Sequence, residues 1–162
     1  MTALLYAARD GGAGLARQLL DAKADVNQAE ANGITPLLMA ITNDHMDVAR
    51  VLLERGAEVN AMDFWGRTPL LAAVEIRNRD YTRNNEHGID RAAALEMITT
   101  LLDKGANPNA RTKEIPPLRR WVTPLGDLTW INMTGQTPFI RAAQSGDITT
   151  MRLLLAHGAD PK

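Results

Sequence analysis

The 162-residue chain contains no cysteine. Disulfides, thiolate metal sites and a cysteine nucleophile are therefore excluded. Aromatic residues make up only 4%, so any core must be built from Leu, Ala, Ile and Val. No apolar run approaches the ~20 residues that a membrane-spanning helix needs. The start, Met1-Thr2-Ala3-Leu4-Leu5-Tyr6, shows no basic n-region of a secretory leader. Excess charge is also lacking: 18 Lys and Arg face 19 Asp and Glu, which removes the overall basic signature of a nucleic-acid binder. What charge there is lies unevenly. Residues 1–66 hold 5 basic and 9 acidic side chains, and residues 67–162 hold 13 and 10. That is either scatter over solvated faces or a polarity that orients a partner. A hydrophobic content of 45% argues for a folded chain rather than a disordered one.

What the sequence has is self-similarity. Thr35-Pro36-Leu37-Leu38-Met39-Ala40 returns one period later as Thr68-Pro69-Leu70-Leu71-Ala72-Ala73. Stepping back by the same period reaches Thr2, and Thr137-Pro138-Phe139-Ile140-Arg141-Ala142-Ala143 is a further copy. A second motif keeps the period: Ala24-Asp25-Val26-Asn27 matches Ala57-Glu58-Val59-Asn60, with later copies at Gly105–Asn109 and Gly158–Pro161. Between these landmarks the apolar spacing is helical, as in Val48, Ala49, Val51, Leu52 and Leu53 before Gly56. The equivalents are Leu15, Ala16, Leu19 and Leu20, then Ile98, Leu101 and Leu102, then Met151, Leu153, Leu154 and Leu155. Thr-Pro suits a helix start: the hydroxyl accepts from an orphan amide, and the missing proline N–H costs nothing there. Glycine after the second helix suits a left-handed stop. Each unit reads as a turn, a short helix, a tight loop, a second helix and an extended stretch.

On these residues the chain resembles the ankyrin-repeat family over nearly its whole length. The shared features are the period of 33, the Thr-Pro-Leu box with Ala-Ala, the Leu-Leu pair before Gly-Ala-Asp, and Val-Asn leading to a glycine turn. The resemblance implies an all-α solenoid in one domain, with helix–turn–helix units at about 1–33, 34–66, 67–135 and 136–162 and β-hairpin fingers between them. Two departures stand out. Leu38, Leu71 and Ile140 occupy the place of a family histidine that ties neighbouring loops. Lys23 occupies the glycine stop of the first unit, where a left-handed backbone costs more.

Two insertions break the period. Gly56 to Gly105 is 49 residues, which places 16 extra at about 76–91. Glu75 and Arg79 favour continuing the first helix, Asn84–Gly88 reads as a polar turn, and Asp90 as an N-cap. This is either a stabilising extension or a wall offering Arg77, Arg79, Tyr81 and Arg83 to a partner. The second insertion, about 111–131, adds 20 residues to the third finger and carries Trp121 and Trp130. A loop that long is usually functional or disordered, and its apolar content suits folding back on the body.

No catalytic residues, metal ligands or cofactor are expected. His45, His87 and His157 lack metal-ligand spacing. Ser145, the single serine, lies in an interhelical turn, and Gly11-Gly12-Ala13-Gly14 lacks the lysine of a phosphate loop. Arg119-Arg120-Trp121 is too short a cluster to imply nucleic acid. Binding remains. In the resembling family, residues flanking the finger glycines and the ends of the first helices take a protein partner. Here that implies Asn32, Ile34, Phe64, Trp65, Arg67, Glu75, Trp121, Gln136 and Gln144. Trp65 either stands in solvent at a finger tip or joins Trp121 and Trp130 in a satellite core. The alternative to a binding scaffold is a structural spacer in a longer array. Met151, Leu154 and Leu155 are expected to leave an apolar terminal face for further repeats or another chain.

Overall fold

The computed structural model describes residues 1–79, 90–113 and 134–162. Among them are eight helices: α1 (Ala3–Asp10), α2 (Ala13–Asp21), α3 (Pro36–Thr42), α4 (Met46–Glu54), α5 (Pro69–Arg77), α6 (Arg91–Asp103), α7 (Pro138–Gln144) and α8 (Ile148–Ala156). They pack in consecutive pairs, and the pairs stack, with α1, α3, α5 and α7 in one row and α2, α4, α6 and α8 in another. The expected all-α solenoid is present. The first and second fingers close as tight turns, and no strand occurs among the described residues.

The repeated sequence motifs explain the repeated geometry. Thr2, Thr35, Thr68 and Thr137 each cap a helix, the hydroxyl accepting from the amide three residues on at 3.2–3.3 Å. Each such cap contributes about 1 kcal/mol. Behind the caps, Leu4, Leu37, Leu70 and Phe139 are buried, as are Val48, Val51, Leu52, Ile98 and Leu101. Leu38 and Leu71 are buried too, so at these two histidine positions an apolar side chain joins the core instead of tying loops.

The second motif supplies the joints. Asn27 Oδ1 accepts from Glu58 N at 2.9 Å. Asn60 accepts from Asn107 N at 2.8 Å and donates to Gly105 O at 2.9 Å. Asn109 accepts from Asp160 N at 2.7 Å and donates to Gly158 O at 3.0 Å. One asparagine per unit thus staples it to the next, and the amide side chain suits this because it both donates and accepts. Exposed ion pairs repeat the pattern at Arg55–Asp21 and Arg50–Glu96, where solvent leaves little net stabilisation.

The third pair is lengthened, α5 and α6 having 9 and 13 residues against 7 and 9 in α3 and α4. Asp90 caps α6 as expected, accepting from Ala92 N and Ala93 N. α5 continues two residues past the register end of α3 and stops at Arg77, short of Arg79, with Asn78 donating back to Val74 O. The expected polar turn at 84–88 lies outside the described residues.

Two apolar expectations are corrected. Leu15 is exposed, because no helix pair packs on its side of α2. Leu154 is buried within its own pair and contributes nothing to the terminal face. That face shows Leu155 together with Ile148. Lys23 takes the left-handed backbone expected of it, with φ 67°. Asp44 does the same at φ 65°, one period after Gly11 with φ 79°, a departure the repeat itself makes visible.

Candidate partner-binding surface

The second finger is a turn clamped from inside. Its first residue, Asp63, has a fully buried side chain. Oδ1 accepts from Trp65 N at 3.0 Å and from Arg67 N at 2.8 Å, and Oδ2 accepts from Arg67 Nε at 2.7 Å. Gly66 N donates to Asp63 O, and Asp63 N donates to Arg67 O. One carboxylate therefore fixes the backbone on both sides of the tip while its charge is matched by a guanidinium. A charge so well hydrogen-bonded tolerates burial; one stripped of its partner does not.

Neighbouring fingers hold this turn from both sides. Phe64 N donates to Asn32 O at 2.8 Å, and Lys113 N donates to Trp65 O at 2.8 Å. Gly66 has φ 80°, and a Cβ there would lie 2.9 Å from Lys113 N and 3.0 Å from Arg111 O. Glycine is thus required twice, by the left-handed backbone and by the closeness of the third finger. The ends of that finger pair as those of the second do, Thr112 N donating to Gln136 O and Gly135 N to Thr112 O.

On this frame stand two aromatic rings. Phe64 is 66% exposed. Trp65 is half-buried and meets Phe64 edge to face, ring centroids 5.8 Å apart. The Arg67 guanidinium lies 6.0 Å from the Trp65 ring centre. Arg67 itself is only 8% exposed, so its place is under the turn and not in an open contact.

The other expected residues divide in the same way. Asn32 and Gln144 are exposed. Ile34 is partly buried against the core. Glu75 and Gln136 are buried, and Gln136 Nε2 donates to Gln144 Oε1 at 3.1 Å, orienting the end of α7. Trp121, Trp130, Tyr81 and Arg83 lie outside the described residues. Arg77 turns inward. It donates to Asp147 Oδ2 at 2.9 Å, to Thr150 Oγ1 at 3.2 Å and to Arg91 O, joining the third and fourth pairs. Burial pushes the Asp147 carboxyl up, but hydrogen bonds from Thr150 and Arg77 outweigh it and hold it below the usual range.

Tyr6 belongs to the surface and was missed in the sequence. It is exposed on α1 with the Arg9 guanidinium 4.7 Å from its ring centre. Its signal is positional: one period on stands Met39, partly buried on α3. Asp63 was missed as well, although an acid and a base four apart across Phe-Trp-Gly is legible as a clasp.

Among the described residues, His45 and His157 make no site. His45 is the N-cap residue of α4 rather than part of its body, and its Nε2 lies 2.9 Å from Arg9 O, joining two turns. His157 caps α8, with Nδ1 2.9 Å from Leu153 O.

The family model for ankyrin repeats (3 copies) matches residues 4–112, and that for a single ankyrin repeat matches residues 134–162. The chain belongs to the ankyrin-repeat family. No curated protein matches it. Ankyrin repeats generally mediate protein–protein interaction and are typically non-catalytic. The ankyrin matches leave out residues 113–133, which include most of the lengthened third finger.

Proposed function

We propose that residues 1–162 form one domain that serves as a non-catalytic scaffold, taking a protein partner on the concave face and finger loops. The observation that carries this is Phe64, 66% exposed on a turn clamped from within and braced on both sides. A large aromatic held rigidly in water loses little freedom on being covered, and this is what binding hot spots exploit. Asn32, Trp65 and Gln144 extend the surface, with Ile34, Arg67, Glu75 and Gln136 shaping it from beneath. The test is capture from an extract of the source organism on immobilised wild-type chain, Phe64→Ala, and the distant surface control Glu54→Ala. A partner retained by wild type and Glu54→Ala and lost on Phe64→Ala supports the reading. Equal retention by all three overturns it.

One observation favours a second reading, that the chain is a spacer within a longer stack. Ile148 and Leu155 on α8 are 61% and 45% exposed, whereas the equivalent Met46 and Leu53 of α4 are buried beneath the following pair. Further repeats or another chain would cover this face.

A further inference from the structure

We infer that the partner segment seated on the aromatic finger tip is an acidic peptide carrying an apolar anchor. This rests on the reading of the finger loops as the binding surface and adds the partner's chemistry. Two observations carry it. First, the acid at the tip is spent. Asp63 is buried, accepts from two amides and is matched by Arg67, so the second finger's own acid adds no open negative charge to its aromatic tip. Second, the finger packed directly on Gly66 is basic. Arg111 and Lys113 are both exposed, and the backbone of 111–113 lies within about 3 Å of a Gly66 Cβ. Arg111 donates to Gly135 O, and neither cation makes an ion pair with a described residue.

The chemistry then follows. An aromatic platform takes an apolar side chain, and cations at its edge select flanking carboxylates and speed encounter. A single-stranded nucleic acid also pairs stacking with cations, but it needs a succession of open rings. Here Phe64 is exposed, while Trp65 is half-buried against it.

The test is selection from a random 12-residue peptide library on the full chain, with the enriched peptides measured by fluorescence anisotropy. The enriched sequences are expected to be net negative with at least one large apolar residue. Phe64→Ala and Arg111→Glu/Lys113→Glu are each expected to weaken binding by roughly tenfold or more, and binding is expected to weaken as salt rises. Circular dichroism confirms that these surface variants remain folded. If Phe64→Ala weakens binding but the double charge reversal does not, or if the enriched peptides are neutral or basic, the acidic partner is overturned and the finger surface stands. If no peptide is enriched, or Phe64→Ala has no effect, both readings fall. Displacement of the best peptide by a 12-residue oligouridylate at lower concentration than by unlabelled peptide overturns the proposal in favour of nucleic acid.

Discussion

The first and second fingers differ by a carboxylate one carbon longer and the loss of its partner. Both turns close with the same bond, Gly33 N to Glu30 O and Gly66 N to Asp63 O, and both pair their ends, Glu30 N to Ile34 O and Asp63 N to Arg67 O. Asp63 reaches the two amides beyond it and the guanidinium of Arg67. Glu30, one period earlier, faces Ile34 instead of an arginine, and its Oε1 is buried without a hydrogen bond. The second finger gains three bonds from one side chain; the first carries a buried oxygen that gains none. The better-braced turn is also the one that bears the exposed aromatic. Rigidity and display coincide at one place in an otherwise periodic molecule.

Removing the clamp breaks the comparison most severely. Asp63→Ala or Arg67→Ala leaves a buried partner uncompensated and is expected to cost about 3–5 kcal/mol, whereas Glu30→Ala is expected to change stability by less than about 1 kcal/mol. Urea unfolding of the three variants measures both. Next in size is a staple. Asn60→Ala removes two bonds to the following unit and is expected to cost about 1–3 kcal/mol, read in the same way.

Smaller effects sharpen the account in the opposite direction. Lys23→Gly removes a left-handed non-glycine residue and is expected to stabilise by about 1 kcal/mol. Asp44→Gly is expected to gain somewhat less from backbone relief, because aspartate tolerates that conformation better. It gains also from charge: burial raises the Asp44 carboxyl, against the opposing pull of Arg79 and His45. A raised carboxyl adds stability only while protonated and loses it as pH rises through its folded value, so the Asp44→Gly benefit is expected to be larger at pH 7 than at pH 3. Thermal melts at the two pH values check this. Asp147 has the reverse sign. Its lowered carboxyl contributes stability fully present above the ordinary carboxylate range and lost as pH falls below about 4 toward its folded value. Asp147→Asn is expected to flatten that acid limb.

The sequence made the periodic parts legible because each landmark has one physical job repeated in register. Threonine caps a helix, leucine fills the pair, and asparagine staples the next unit. Lys23 was legible by the same logic, and Asp44 was open to it. The candidate surface was legible only in outline. Phe64 stood out as an aromatic beside a turn glycine, but the inward direction of Arg67, Glu75, Gln136 and Arg77 was not. Direction depends on a partner elsewhere, such as Asp147 for Arg77, 70 residues away. The terminal stripe misled at Leu154 because spacing identifies an apolar stripe without saying which neighbour it faces.

The most direct test of the clamped, displayed turn is backbone amide hydrogen exchange at Trp65 and Arg67 against Asn32 and Ile34. The first two amides donate to Asp63; their equivalents one period earlier make no such bond to Glu30. Trp65 and Arg67 are expected to exchange at least about tenfold more slowly, and Asp63→Asn is expected to narrow the gap. Equal exchange in the two fingers of the wild-type chain would contradict the account.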